Sequence, residues 1–208
     1  MVDGPDPTDE RLVSLSKDGS LDAFNSLVER YQSAVYNLCL RILGHSQAAE
    51  DATQEAFLSA FRALPRFAGG NFRSWLLRIA ANESKDEMRR RSRKDTFASL
   101  SEMFDNIEPA IEPPGAGPGV DVLFERKEHA AALQRALLRL PFDQRQAIVL
   151  SDVHGLPYEE VARATGASLG TVKSRIHRGR EHLRTLILAD PELFGAIRRL
   201  EGGEGRVR

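Results

Sequence analysis

The sequence predicts an all-α protein with two small helical domains joined by an acidic linker rich in proline and glycine. Apolar residues recur at spacings of three and four in both halves of the chain, and no convincing period-two alternation typical of a β-strand appears. Residues 105–121 contain four prolines and three glycines but few large apolar side chains, a composition typical of a linker. We therefore expect domains at 10–95 and 122–188, a linker at 96–121 and a C-terminal tail at 189–208.

Three helices are predicted in the first domain. The first begins after Ser20, a residue type favoured at helix N-caps, and ends at Gly44, a residue type favoured just beyond the last turn. The second begins near Ser46 and stops at Pro65, and the third runs from about Asn71 into an arginine-rich stretch. The residues expected to face the core include Phe24, Leu27, Val35, Leu38, Ile42, Ala49, Ala52, Ala56, Phe57, Ala60, Phe61, Leu64, Trp75, Leu76, Ile79 and Ala80.

Two further helices open the second domain. An amphipathic pattern over 123–140 predicts a helix that ends at Pro141. Asp143 is expected to cap the next helix, which carries Ala147, Ile148, Leu150 and Val153 and is closed by Gly155.

The last two predicted helices form the strongest local signal in the sequence. A short helix over 158–165, following Pro157, stops at Gly166, and a longer basic helix begins near Ser168, so the pair predicts a helix-turn-helix. Val161, Ala162, Val172 and Ile176 are expected to pack the two helices together. The residues expected to point outward toward a DNA major groove are Ser168, Thr171, Lys173, Ser174, His177 and Arg178. The alternative is a helical pair whose charges only keep it in solution.

The net charge of −1 hides a strongly uneven distribution. Residues 73–94 carry eight basic and three acidic residues, and residues 163–184 carry six basic residues and one acid. Residues 95–125 between them carry seven acids and neither Lys nor Arg. Two basic segments separated by an acidic one are typical of a protein that binds phosphate backbones with two separate surfaces.

Two polar helix faces in the first domain are weaker signals. Near the arginine-rich stretch, Asn82 and its charged neighbours share one stripe, which suits hydrogen bonding to a splayed base beside backbone phosphates. A solvated helix end would give the same pattern. The polar stripe of the second helix, Asp51, Gln54, Glu55 and Ser59, is by itself typical of an ordinary surface helix.

Four stretches, in this order, resemble the sigma-70 family of RNA polymerase sigma factors, in its compact extracytoplasmic-function (ECF, group IV) type. FNSLVERYQSAVYNLCLRILG and AEDATQEAFLSAF resemble regions 2.1 and 2.2 of the family. FAGGNFRSWLLRIAANESKDEMRRRSR resembles regions 2.3 and 2.4, and LRLPFDQRQAIVLSDVHGLPYEEVARATGASLGTVKSRIHRGREHLR resembles region 4. The resemblance implies an alternative sigma factor that directs core RNA polymerase to promoters through their −10 and −35 elements.

The resemblance also implies residue roles. A docking surface for the β′ clamp coiled coil of polymerase would contain Asp51, Gln54 and Glu55, and the polymerase β flap would support the second domain. Asn82 would capture a flipped base of the −10 element, flanked by Lys85, Asp86, Arg89 and Arg90. The −35 element would be contacted by Tyr158, Glu159, Lys173, Ser174, His177 and Arg178. An anti-sigma factor is the family's usual regulator.

The sequence excludes several other classes. No apolar run is long enough to span a bilayer and the N-terminus lacks a secretory signal, so we expect a cytoplasmic protein without membrane insertion. Cys39 is the only cysteine and is expected in the core. We find no metal site, no cofactor motif and no catalytic site, so we expect no enzyme. The competing interpretations are a LuxR-like helix-turn-helix regulator and an enzyme acting on nucleic acid.

Overall fold

The computed structural model describes residues 7–94 and 130–189, and within these ranges every regular element is helical. The predicted all-α fold class is therefore confirmed. The predicted linker, and the predicted tail beyond Ala189, lie outside the described residues. Across the described ranges, no helix combines the length and apolar content needed to cross a membrane.

The first helical unit contains four α-helices. They are α1 (Asp9–Lys17), α2 (Leu21–Leu43), α3 (Ser46–Ala63) and α4 (Phe72–Lys94), with a 3₁₀ turn, Leu64–Arg66, after α3. Helices α2, α3 and α4 pack against one another and α1 lies on α2. Their shared core is lined by the small side chains of α3, which are fully buried and allow close helix approach: Ala49, Ala52, Ala56 and Ala60.

The ends of these helices follow from local chemistry. The Ser20 hydroxyl accepts a hydrogen bond from the Ala23 amide at 3.3 Å, and Gly44 ends α2 with φ of 75°. Both predicted boundaries are thus confirmed. Helix α1 was not predicted, although Thr8 caps it and Asp9 supplies an acid in its first turn.

The second helical unit contains four helices in its described part. They are α5 (130–138), α6 (Phe142–Ile148), α7 (Tyr158–Thr165) and α8 (Leu169–Ala189), with a π-helical segment, Val149–Val153, after α6. The start predicted for α5 near residue 123 lies outside the described residues.

Two expectations for α6 and its continuation are wrong. Pro141 occupies the N-cap position, where its fixed φ suits the helix entry, and the carboxylate of Asp143 instead pairs with Arg175 of α8. Val153, expected in the core, is 41% exposed because the π-helical segment rotates it away from the interior.

The two units pack against each other and share one continuous apolar core. Helix α7 lies on α4, and three side-chain hydrogen bonds to backbone carbonyls cross the contact. The Gln134 amide donates to the Leu40 carbonyl at 3.0 Å, and the Gln146 amide donates to the Ala81 carbonyl at 2.9 Å. The Arg73 guanidinium donates to the His154 carbonyl at 2.9 Å.

His154 is buried at this contact with two cations nearby. Burial, followed by the charges of Arg73 on α4 and Arg41 on α2, lowers the pKa of its imidazole from 6.5 to about 4. The folded protein therefore keeps His154 neutral at pH values where an unfolded chain would bind a proton.

The free energy of unfolding is therefore expected to fall as the pH is lowered from about 6.5 to about 4. In that window the unfolded state takes up a proton at His154 that the folded state refuses, which costs up to about 3 kcal/mol of stability below the window. Urea unfolding at several pH values measures this slope. His154→Phe should flatten it, whereas replacing the exposed His182 by Gln should leave it in place; a His154→Phe variant that retained the full slope would contradict the assignment.

Candidate nucleic-acid interface

The start of α4 is fixed by an aromatic cluster and a short glycine loop. The rings of Phe67 and Trp75 lie 4.9 Å apart, and Phe72 packs against both. Gly69 and Gly70, with φ of 96° and 94°, lead into the helix. The Asn71 side chain then accepts a hydrogen bond from the Ser74 amide at 2.8 Å. The direction of α4, and with it the position of its polar face, is set at this end.

The predicted −10 residues all lie on the outer face of α4. Asn82, Asp86, Arg89 and Arg90 are exposed, and Lys85 is half-buried. Arg89 pairs with Asp86 at 3.4 Å, and Arg90 pairs with the buried Glu87 at 3.1 Å. Exposed pairs of this kind contribute little to stability, so a phosphate can replace the carboxylate as partner.

The level of Asn82 on α4 is tied to the neighbouring α3. The Ser59 hydroxyl donates to a carboxylate oxygen of Glu83 at 2.8 Å, directly after Asn82. Ser59 was expected on the outer polar stripe of α3, but it is half-buried and faces α4. This hydrogen bond holds the two helices in register beneath the candidate base-reading residue.

The predicted helix-turn-helix is present. Gly166, with φ of 66°, ends α7, and the Ser168 hydroxyl accepts a hydrogen bond from the Thr171 amide at 3.2 Å at the start of α8. Val161, Val172 and Ile176 are buried between the two helices, as the spacing predicted. Gly179 lies deeper in the contact, where an added Cβ would approach the Ile148 side chain within 2.5 Å, so α8 lies directly against α6.

The outer face of α8 agrees with the prediction. All six residues expected to point outward are exposed: Ser168, Thr171, Lys173, Ser174, His177 and Arg178. On α7, Glu159 is exposed, but Tyr158 is half-buried and packs against the core, so only part of its ring remains accessible. The candidate −35 residues thus form one surface, separate from the candidate −10 surface on α4.

Two arginines counted in the basic segment are engaged in ion pairs within the fold. Arg180 makes two hydrogen bonds to the Asp152 carboxylate at 2.8 and 2.9 Å, which lower the pKa of that carboxyl. Arg175 pairs with Asp143. These residues lie 28 and 32 positions apart in the chain, so sequence spacing alone does not reveal the pairs. The charge offered by α8 to a ligand comes mainly from Lys173 and Arg178.

The outer face of α3 is a second candidate surface. Asp51 and Gln54 are exposed and Glu55 is half-buried, and the same stripe continues into Leu58 and Phe61, which are 48% and 43% exposed. Phe61 was expected in the core, and that expectation is wrong. Its ring instead covers the edge of Phe24 at 4.9 Å between centroids. The stripe is thus polar at one end and apolar at the other, as a protein-binding surface often is.

Within residues 7–94 and 130–189, no group of His, Cys, Asp and Glu side chains could hold a metal ion. The two candidate nucleic-acid surfaces therefore rely on hydrogen bonding and charge.

Comparisons with known proteins agree with this arrangement. Family models for sigma-70 region 2 and sigma-70 region 4 match residues 27–94 and 130–183. The chain is 37% identical over 180 residues to the ECF RNA polymerase sigma factor SigE of Mycolicibacterium smegmatis, covering 86% of this chain and 67% of that protein.

Two further relatives extend the comparison. The ECF RNA polymerase sigma-E factor of Escherichia coli is 37% identical over 182 residues, covering 84% of this chain and 91% of that protein. The sigma factor RpoE of Bartonella quintana, solved in complex with the anti-sigma factor NepR, superposes with a TM-score of 0.63 at 27% identity, covering 82% of this chain and 99% of that one. The chain belongs to the sigma-70 family of RNA polymerase sigma factors, in its extracytoplasmic-function group.

Proposed function

We propose that this protein is an alternative sigma factor whose two helical units divide promoter recognition between them. The observation that carries the proposal is the presence, on one chain, of two separate exposed polar faces, one around Asn82 on α4 and one from Lys173 to Arg178 on α8. The first would capture an unpaired base of the −10 element while the arginines beside it follow the phosphates. The second would read the −35 element as duplex in the major groove.

Core RNA polymerase is the proposed partner of the α3 stripe. Asp51, Gln54 and Glu55 would provide its polar contacts with the β′ clamp coiled coil, and Leu58 and Phe61 would add an apolar anchor. The second unit would rest on the β flap. The protein would carry out no chemistry of its own and would act in the cytoplasm, where polymerase and promoters are.

An anti-sigma factor is the proposed regulator. The Bartonella quintana relative was solved with such a partner, which supports the same form of control for this chain. To prevent transcription, the regulator would have to cover either the α3 stripe or the two DNA-reading faces.

In vitro transcription with core polymerase on a promoter library tests the function directly. We expect transcripts from a subset of promoters with related −10 and −35 sequences, and only when the protein and core polymerase are both present. A conventional helix-turn-helix regulator would instead bind specific duplex DNA without polymerase and would yield no core-dependent initiation.

The Lys173→Ala substitution is expected to weaken promoter binding by the holoenzyme and to reduce its salt dependence. Loss of one phosphate contact lowers the slope of log affinity against log salt by about 0.9, and loss of a base contact costs about 1–3 kcal/mol. Titration of a −35 fragment at several salt concentrations distinguishes the two. Arg135→Ala removes the same charge from the exposed face of α5 and should change neither quantity; equal effects of the two variants would count against the assigned reading face.

A further inference from the structure

The contact between the two helical units has a consequence for promoter engagement. Resting on the function proposed above, we propose that this contact is an autoinhibitory latch, which holds the two reading surfaces too close together to engage both promoter elements. Loading onto polymerase and promoter then requires the latch to open. Asn82 and the outer face of α8 are exposed in the closed state, so the latch acts through their separation and leaves both surfaces uncovered.

The separation follows from the packing order. Helix α7 lies against both α4 and α8. Packed helices have axes about 8–10 Å apart, so α8 lies within roughly 20 Å of α4 where they meet α7. Elements named −35 and −10 are about 25 base pairs apart, or roughly 85 Å along B-form DNA. A separation of this size cannot be spanned while α7 packs against α4.

The latch consists largely of amide side chains from the second unit that bind backbone carbonyls of the first. Gln134 and Gln146 are completely or nearly completely buried, at 0% and 2% exposure. Gln146 binds the carbonyl of Ala81, the residue immediately before Asn82. Because these acceptors belong to the backbone, side-chain changes on the first unit do not remove them.

This chemistry suits a contact that opens and closes. Water can replace both amide hydrogen bonds when the units separate, so the net stabilisation from each is modest. The Gln134 Oε1 atom is also buried without a hydrogen-bond partner among the described residues, a cost that opening would relieve. Close packing is added where Gly44 meets Leu138, since a Cβ at Gly44 would lie 2.5 Å from the leucine methyl groups.

Fluorescence energy transfer in the full chain tests the latch. The Gln32→Cys and Glu181→Cys substitutions place labels on exposed positions of the two units. Cys39 is buried and its pKa is raised by burial to about 11, so it should not compete for thiol reagents. We expect high transfer in the free protein and low transfer in the complex with core polymerase and promoter DNA.

Opening the latch without polymerase is the sharper test. In the Gln134→Glu/Gln146→Glu double variant neither side chain can donate to its carbonyl, and carboxylates are costly to bury. We expect the closed-to-open ratio to fall on the order of tenfold or more, with lower transfer in the free protein and tighter apparent binding to core polymerase. Gln144→Glu adds the same charge to α6, on the side that faces α8, and should leave transfer high.

Three results would overturn the latch. The free wild-type protein could show the same low transfer as the promoter complex. The double variant could retain its helical circular dichroism and show unchanged transfer and core affinity. If the double variant failed to fold, unchanged transfer and core affinity in the milder Gln146→Ala variant would decide against the latch. Failure of the sigma function is a separate outcome, because it would abolish core-dependent transcription without altering transfer in the free protein.

Discussion

The Asn82→Ala substitution is expected to reduce promoter melting by at least about tenfold while leaving core binding unchanged. Loss of an amide that binds one base costs about 1–3 kcal/mol of discrimination, which corresponds to about 5- to 150-fold. The side chain of Asn82 is exposed on α4, and alanine is a better helix former than asparagine, so the fold should be unaffected. Permanganate reactivity of unpaired thymines in the −10 element measures melting directly.

The control for this prediction is Gln32→Ala, which removes an exposed amide from α2, away from the candidate DNA surface. It should preserve both melting and transcription. Unchanged permanganate reactivity in the Asn82 variant, at equal holoenzyme concentration, would remove Asn82 from the proposed base-capture role.

The Leu58→Asp/Phe61→Asp double variant is expected to weaken binding to core polymerase by at least about thirtyfold, because buried apolar anchors of an interface commonly contribute 2 kcal/mol or more. The free protein should lose little stability, since both side chains are already substantially exposed. Binding is measured by competition with a reference sigma factor for a limited amount of core polymerase.

A single Gln32→Asp substitution tests whether added negative charge on the first unit is enough to cause the loss. It should leave competition unchanged, and a comparable loss in this variant would point to general repulsion. Normal competition by the Leu58/Phe61 variant would mean that the apolar end of the stripe lies outside the polymerase contact.

The fold could be predicted where single residues fix helix ends. Ser20, Gly44 and Gly166 each act through their own backbone or side chain, so their effects are local and readable from sequence. Helix α1 was missed because its apolar pattern is short, and its burial depends on contact with α2. Phe61 was misplaced because the apolar spacing of α3 continues onto a face that has no partner within the described fold.

The candidate sites were predictable to a similar depth. Helical periodicity was enough to identify the outward face of α8, and its exposed residues agree. The pairing of Arg180 with Asp152 was not predictable, because it depends on how α8 lies across the π-helical segment. The contact of Gln146 with Ala81 joins residues 65 positions apart and depends on the docking of whole units.

The burial of Cys39 has a consequence for signalling. The thiol is fully enclosed between α2 and its neighbours, and its raised pKa leaves almost no thiolate at neutral pH. Peroxides and disulfides react with thiolates that they can reach, so this folded chain offers them no ready target. If the genes under its control respond to oxidants, the redox-sensitive group belongs to another protein in the circuit.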